Sequence, residues 1–127
     1  MDALEQAKTL GQALANSNEF QTLISCEKDF YRNKEAVELL EQYDKETMKM
    51  KNLRGLGMSV PSSSMEALEG LQAKIQSNPA IQQLLSTQKA YEDLLKRVNE
   101  EINKEIDSLT RAHMGDADSG PRIIEAV

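Results

Sequence analysis

Tryptophan is absent from this 127-residue chain, and two Phe and three Tyr bring the aromatic share to only 4 %. Aromatic side chains supply large buried areas per residue, so a self-contained globule of this length usually carries more of them. Cysteine occurs once, at Cys26, which excludes an internal disulfide and fits a reducing compartment. Cys26 and the single His, His113, lie far apart and offer no ligand set for a metal or cluster. An excess of positive charge is also missing. The net charge is −6, whereas a nucleic-acid groove needs clustered Lys and Arg to displace counterions. Residues 78–114 mix five basic with six acidic side chains, the pattern of a solvated helix face. No run approaches the eighteen or so apolar residues of a membrane span. The acidic start, MDALEQAKTL, has no apolar core and is not expected to be a signal peptide. The chain is expected to be cytoplasmic and free of direct contact with membrane or nucleic acid.

Catalytic signatures are missing as well. There is no Walker A, GxGxxG or HExxH motif. The carboxylates read as surface charge, His113 as a dipole-capping or solvated side chain at a helix end, and Cys26 as a half-buried structural thiol. No catalytic residue, metal ligand or cofactor is assigned, and the protein is not expected to be an enzyme.

What the chain has is helical composition. Gln, Glu, Lys, Leu and Ala abound, while Gly and Pro number six and three. Asp2 predicts a first helix, with Glu5 completing a capping box and Leu4, Ala7, Leu10 and Leu14 on one face. Ser17 is the expected cap of a second helix, whose face is Phe20, Leu23, Ile24, Phe30 and Tyr31. Residues 17–54 then allow two readings. Asn33 can cap a third helix, but the seam passes in phase from Leu23 through Phe30 to Val37, Leu39 and Leu40, which suits one long kinked helix equally. Gly55 and Gly57 end that segment, and the stretch GLGMSVPSSS forms a loop. Ser63 and Glu66 predict a second capping box, followed by Met65, Leu68, Leu71 or Gln72, and Ile75 on a short helix of heptad spacing. Asn78–Pro79 is the sharpest local signal, a strong N-cap with Pro at the first helical position.

The last helix carries Ile81, Leu84, Leu85, Gln88, Tyr91, Leu95, Val98, Ile102 and Leu109 in the three-four alternation of a bundle or coiled-coil seam. Glu92–Lys96, Asp93–Arg97 and Glu100–Lys104 are i,i+4 pairs of favourable orientation. A helix over residues 79–112 would measure ~50 Å, against ~36 Å for a compact sphere of this chain length. The simplest cover for its apolar seam is a second copy in a symmetric dimer. The fold expected is all-α: an elongated helical hairpin or bundle of four to five helices with a long C-terminal helix, completed by dimerisation. Residues 1–114 form its domain, and the acidic, Gly- and Pro-broken stretch 115–127 is expected to be disordered. The interface residues expected are Phe20, Leu23, Phe30, Val37, Leu40, Ile81, Leu84, Leu85, Gln88, Tyr91, Leu95, Val98 and Ile102. Met48, Met50, Met58 and Met65 surround the loop, either as core filling or as an adaptable contact surface. A weak echo links Ala36-Val37-x-x-Leu40 after Asn33 to Ala80-Ile81-x-x-Leu84 after Asn78, as two amphipathic helices with similar caps would produce.

The run Leu71-Gln72-x-Lys74-Ile75-Gln76-x-Asn78-Pro79-x-Ile81, with Leu85, Gln88, Leu94-Leu95, Val98-Asn99 and Ile102 after it, resembles the C-terminal half of the YlbF/YmcA family of small helical bacterial proteins, which are also grouped with YheA. The N-terminal half is more loosely similar, through Ala7 to Leu14, Ser17-x-x-Phe20-Gln21 and Glu35-Ala36. The likeness covers roughly residues 3–110. At Asn33-Lys34-Glu35 the chain departs from the Asp-Pro type break frequent in relatives. The resemblance implies a dimeric, non-catalytic regulator that binds other proteins. It implies membership of a complex modulating an RNase Y-type endoribonuclease, and so competence, sporulation or biofilm formation. Iron–sulfur and flavin association attributed to that complex is not carried over, because one Cys cannot supply a four-thiolate cluster. The competing reading is a structural or chaperone-like coiled coil that clamps client segments between helices.

Overall fold

The computed structural model describes residues 2–114. Five helices account for nearly all of them: α1 (Ala3–Ala15), α2 (Asn18–Arg32), α3 (Lys34–Gly55), α4 (Ser62–Ser77) and α5 (Pro79–Met114). No strand occurs among the described residues, and no helix is long and apolar enough to cross a membrane. The expected disordered tail, 115–127, lies outside the described residues. The described residues divide into two compact units, 2–87 and 88–114, and the sequence of α5 continues across the boundary.

The first unit is shaped by its caps. Asp2 Oδ1 accepts the Glu5 N–H at 2.8 Å, and Ser17 Oγ accepts that of Phe20 at 3.2 Å. Asn33 resolves the ambiguity over residues 17–54 in favour of two helices. It closes α2 and opens α3 as a single extended residue, with φ −92° and ψ 99°. Its N–H donates to the Phe30 carbonyl, and its Oδ1 accepts from the Ala36 N–H at 3.0 Å. Asn78 repeats this between α4 and α5, with φ −90° and ψ 112°. There the N–H reaches the Ile75 carbonyl and Oδ1 accepts from Ile81 at 3.1 Å. The echo seen in the sequence is therefore a shared junction geometry. In both junctions the residue bonded to the Asn side chain, Ala36 or Ile81, is fully buried.

The predicted Ser63–Glu66 capping box does not form. Helix α4 begins two residues earlier than that box requires, at Ser62, with Pro61 as its cap and no side-chain bond to it. The Pro61 carbonyl instead takes the N–H groups of Ser64 and Met65, and Ser64 is buried inside the helix. The fixed φ of Pro starts the helix without a side-chain acceptor.

Helices α3 and α4 pack closely against one another, and α2 meets α3. The core of the first unit is Leu23, Phe30, Ala36, Leu39, Met50, Leu71, Ile81 and Leu84. Phe30 also meets Tyr31 edge to face, with ring centres 5.1 Å apart. The second unit is described from Gln88 to Met114, all of it helical.

Candidate interaction surfaces

Two surfaces stand out, one in each unit. Along α5 the half-buried positions are Gln88, Tyr91, Leu94, Leu95, Val98, Asn99, Ile102, Ile106, Asp107 and Thr110, with Asn103 buried. Toward its C-terminal end this stripe departs from the heptad of the apolar residues: Leu109, on the heptad, is 54 % exposed, and Asn103, off it, is 4 % exposed. The Asn103 Oδ1 is enclosed without a hydrogen-bond partner. Leu85 is 49 % exposed.

Of the residues read as interface from sequence, Leu23, Phe30, Ile81 and Leu84 are buried within the chain. Phe20, Val37, Leu40, Gln88, Tyr91, Leu95, Val98 and Ile102 are half-buried. The latter group retains apolar surface that the single chain does not cover. Lys104 meets Glu101, three residues away at 3.8 Å, rather than Glu100. Both side chains are largely exposed, so the pair adds little to stability.

The second surface is the turn between α3 and α4. Helix α3 ends in a Schellman motif: the Met58 N–H donates to the Leu53 carbonyl at 2.9 Å, and the Gly57 N–H to the Arg54 carbonyl at 3.0 Å. Gly57 adopts φ 72°, where a side chain would be strained. Gly55, by contrast, is helical, and a Cβ there would meet nothing. The motif holds Leu56 and Met58 outward, 76 % and 56 % exposed, next to Met48 at 57 %. Met50, half a turn away on α3, is buried, so the methionines divide between core and surface.

Sequence reading found these methionines but missed the charge around them. The even mixing of signs seen along residues 78–114 fails here. From Thr47 to Met65 there are three cations, Lys49, Lys51 and Arg54, and no acidic residue. All three are exposed. The signal was present in the sequence, as an acid-free interval in an acidic chain.

A groove of about 350 Å³ lies between α3 and α4, lined by Gln42, Lys45, Glu46, Ala67, Gly70, Leu71 and Lys74. The small side chains at Ala67 and Gly70 open it. Glu46 Oε2 is enclosed there without a partner. Among the described residues no three His, Cys, Asp or Glu side chains converge as a metal site. Cys26 is a half-buried free thiol on α2, and His113 is exposed in the last turn of α5.

The family model described as "Control of competence regulator ComK, YlbF/YmcA" matches residues 3–107. A UPF0342 protein of Desulfitobacterium hafniense (strain Y51) is 24 % identical over 98 residues, covering 77 % of this chain and 75 % of the relative. A UPF0342 protein of Caldicellulosiruptor saccharolyticus is 25 % identical over 101 residues, covering 80 % and 84 %. A solved structure, a protein of unknown function (DUF964) from Bacillus stearothermophilus, superposes with a TM-score of 0.64 at 18 % identity. It covers 89 % of this chain and 96 % of its own, a likeness of fold.

Proposed function

Because the chain belongs to the YlbF/YmcA family, we propose that it is a non-catalytic, protein-binding regulator that acts in the cytoplasm as a homodimer. Its role would be in a complex that modulates RNA processing by an RNase Y-type endoribonuclease, and thereby competence, sporulation or biofilm formation. The observation that carries this reading is the half-buried apolar stripe of α5, Leu94, Leu95, Val98, Ile102 and Ile106, within the matched span. An apolar stripe wider than a strict a/d seam suits a bundle face formed with further helices. A second copy supplies them with the same surface on both sides of a two-fold axis. Of the interface residues read from sequence, those the chain leaves half-buried or exposed, Phe20, Val37, Leu40, Leu85, Gln88, Tyr91, Leu95, Val98 and Ile102, are the candidates for this contact. The protein would work by contact alone, with no cofactor and no direct hold on nucleic acid.

The test has two parts. Deletion of the gene in its host should shift the transcript ends that the host endoribonuclease governs. Unchanged ends would defeat the regulatory reading. The purified protein alone should not retard RNA in a mobility-shift titration at physiological salt, and sub-micromolar binding would contradict a purely protein-binding role. The adaptable Met48, Met58 and Leu56 surface favours a second reading, a chaperone-like clamp. Recovery of many unrelated unfolded clients, in place of a defined complex, would select it.

A further inference from the structure

We infer that the α3–α4 turn is a docking surface for an acidic, apolar segment of a partner protein. This rests on the protein-binding role proposed above and specifies where and with what chemistry the partner binds. The outer face of the last two turns of α3 presents Met48, Lys49 and Lys51, with Leu56 and Met58 beyond them and Arg54 on the flank. Gly55 leaves open space in the middle of this face. Apolar surface ringed by cations is complementary to apolar side chains ringed by carboxylates.

The cations are not accounted for by helix stability alone. Arg54 lies in the last turn, where it offsets the negative end of the α3 dipole, but Lys49 lies more than a turn further back. The N-terminus of α4 would be stabilised by an acid in its first turn or by a side-chain cap, and it has neither. Its positive end therefore adds to the same local field. In a chain of net charge −6, the interval from Thr47 to Met65 carries three positive charges and no acidic residue of its own, with Glu46 and Glu66 at its edges. Gly57 fixes the turn, so the surface is held in place before binding.

The composition selects among anionic partners. Base stacking and membrane-interface anchoring both draw on aromatic side chains. No aromatic residue lies between Tyr43 and Tyr91. Methionine adapts its shape to varied protein surfaces. These features favour a protein segment over RNA or a lipid surface.

The test uses the full chain and defined probes. A fluorescent amphipathic helical peptide, leucines on one face and glutamates beside them, is titrated against the protein and followed by anisotropy. The controls are the same peptide with lysines for glutamates, a single-stranded RNA, and vesicles containing phosphatidylserine. The acidic peptide should bind, and binding should weaken as salt rises. The combined change Lys49→Glu, Lys51→Glu and Arg54→Glu should weaken it about tenfold or more. Leu56→Ser with Met58→Ser should weaken it with less effect on the salt dependence. All five substituted sites are exposed, and circular dichroism verifies that the variants remain folded. Equal binding of the acidic and basic peptides, tighter binding to RNA or vesicles, or indifference to the charge reversal would each overturn the inference. Purification from the host separates this from the parent reading. Wild-type protein with a stoichiometric partner that the reversed variant retains defeats the docking site only. Wild-type protein without any partner defeats the proposed function itself.

Discussion

At the scale of single residues, Asn78 and Asn33 do the same job in different surroundings. Each donates its own N–H backwards and accepts the N–H three residues ahead, so one extended residue ends one helix and starts another. Asn78 is buried and Asn33 half-buried. Losing the side-chain acceptor at Asn78 strands the enclosed Ile81 N–H, so Asn78→Ala should cost about 1–2 kcal/mol. Asn33→Ala should cost less, because water can replace the lost acceptor more easily. Urea unfolding of the two variants measures the order, and a larger loss at Asn33 would contradict it. The glycines give a second contrast. Gly57→Ala places a side chain at φ 72° and should destabilise by about 1 kcal/mol. Gly55→Ala adds a methyl in open space on a helix and should be neutral or stabilising by up to ~1 kcal/mol. Both are read from the same unfolding experiment.

At the scale of the element, α5 shows how a pattern and a geometry can diverge. Its apolar residues repeat as heptads, while its buried positions leave that repeat toward the C-terminal end. Near Leu95 and Val98 the two coincide, and there the sequence reading and the burial agree. Toward Leu109 they separate, and an Asn takes the buried place. Carboxylates at the coincident positions should be costly. Leu95→Asp and Val98→Asp should each lower stability by several kcal/mol, or disrupt association, because an unpaired charge is forced into apolar surroundings. Lys96→Asp, on the exposed face, should change stability by no more than ~0.5 kcal/mol. Thermal melts of the three proteins decide this, and similar melting temperatures would show that the stripe is not a packing surface.

At the scale of the whole molecule, the association state is the quantity to measure. The apolar surface left half-covered along α5 leads us to expect a dimer at micromolar concentration by sedimentation equilibrium. Val98→Asp should shift it toward monomer, and the charge reversal at Lys49, Lys51 and Arg54 should not. A wild-type protein that sediments as a monomer would remove the dimer from the proposed function.

The sequence by itself determined the helical class, the caps at Asp2, Ser17 and Asn78, the turn at Gly57, and the family resemblance. These are local: they depend on side chains that reach only their own backbone neighbours, or on apolar spacing along one helix. The tertiary structure alone decided whether Asn33 breaks the chain, because the apolar seam continues through that point in either arrangement and local spacing does not distinguish them. It also decided that Pro61 rather than Ser63 starts α4. The division of the methionines, Met50 inward and Met48 and Met58 outward, was open in the sequence for a related reason. Composition states which residues can be buried, and only the packing of one helix against another chooses which of them are. The turn surface was legible in part, as an acid-free interval. Its meaning required knowing that Lys49, Lys51, Leu56 and Met58 stand exposed together, which follows from where α3 ends and how α4 returns along it.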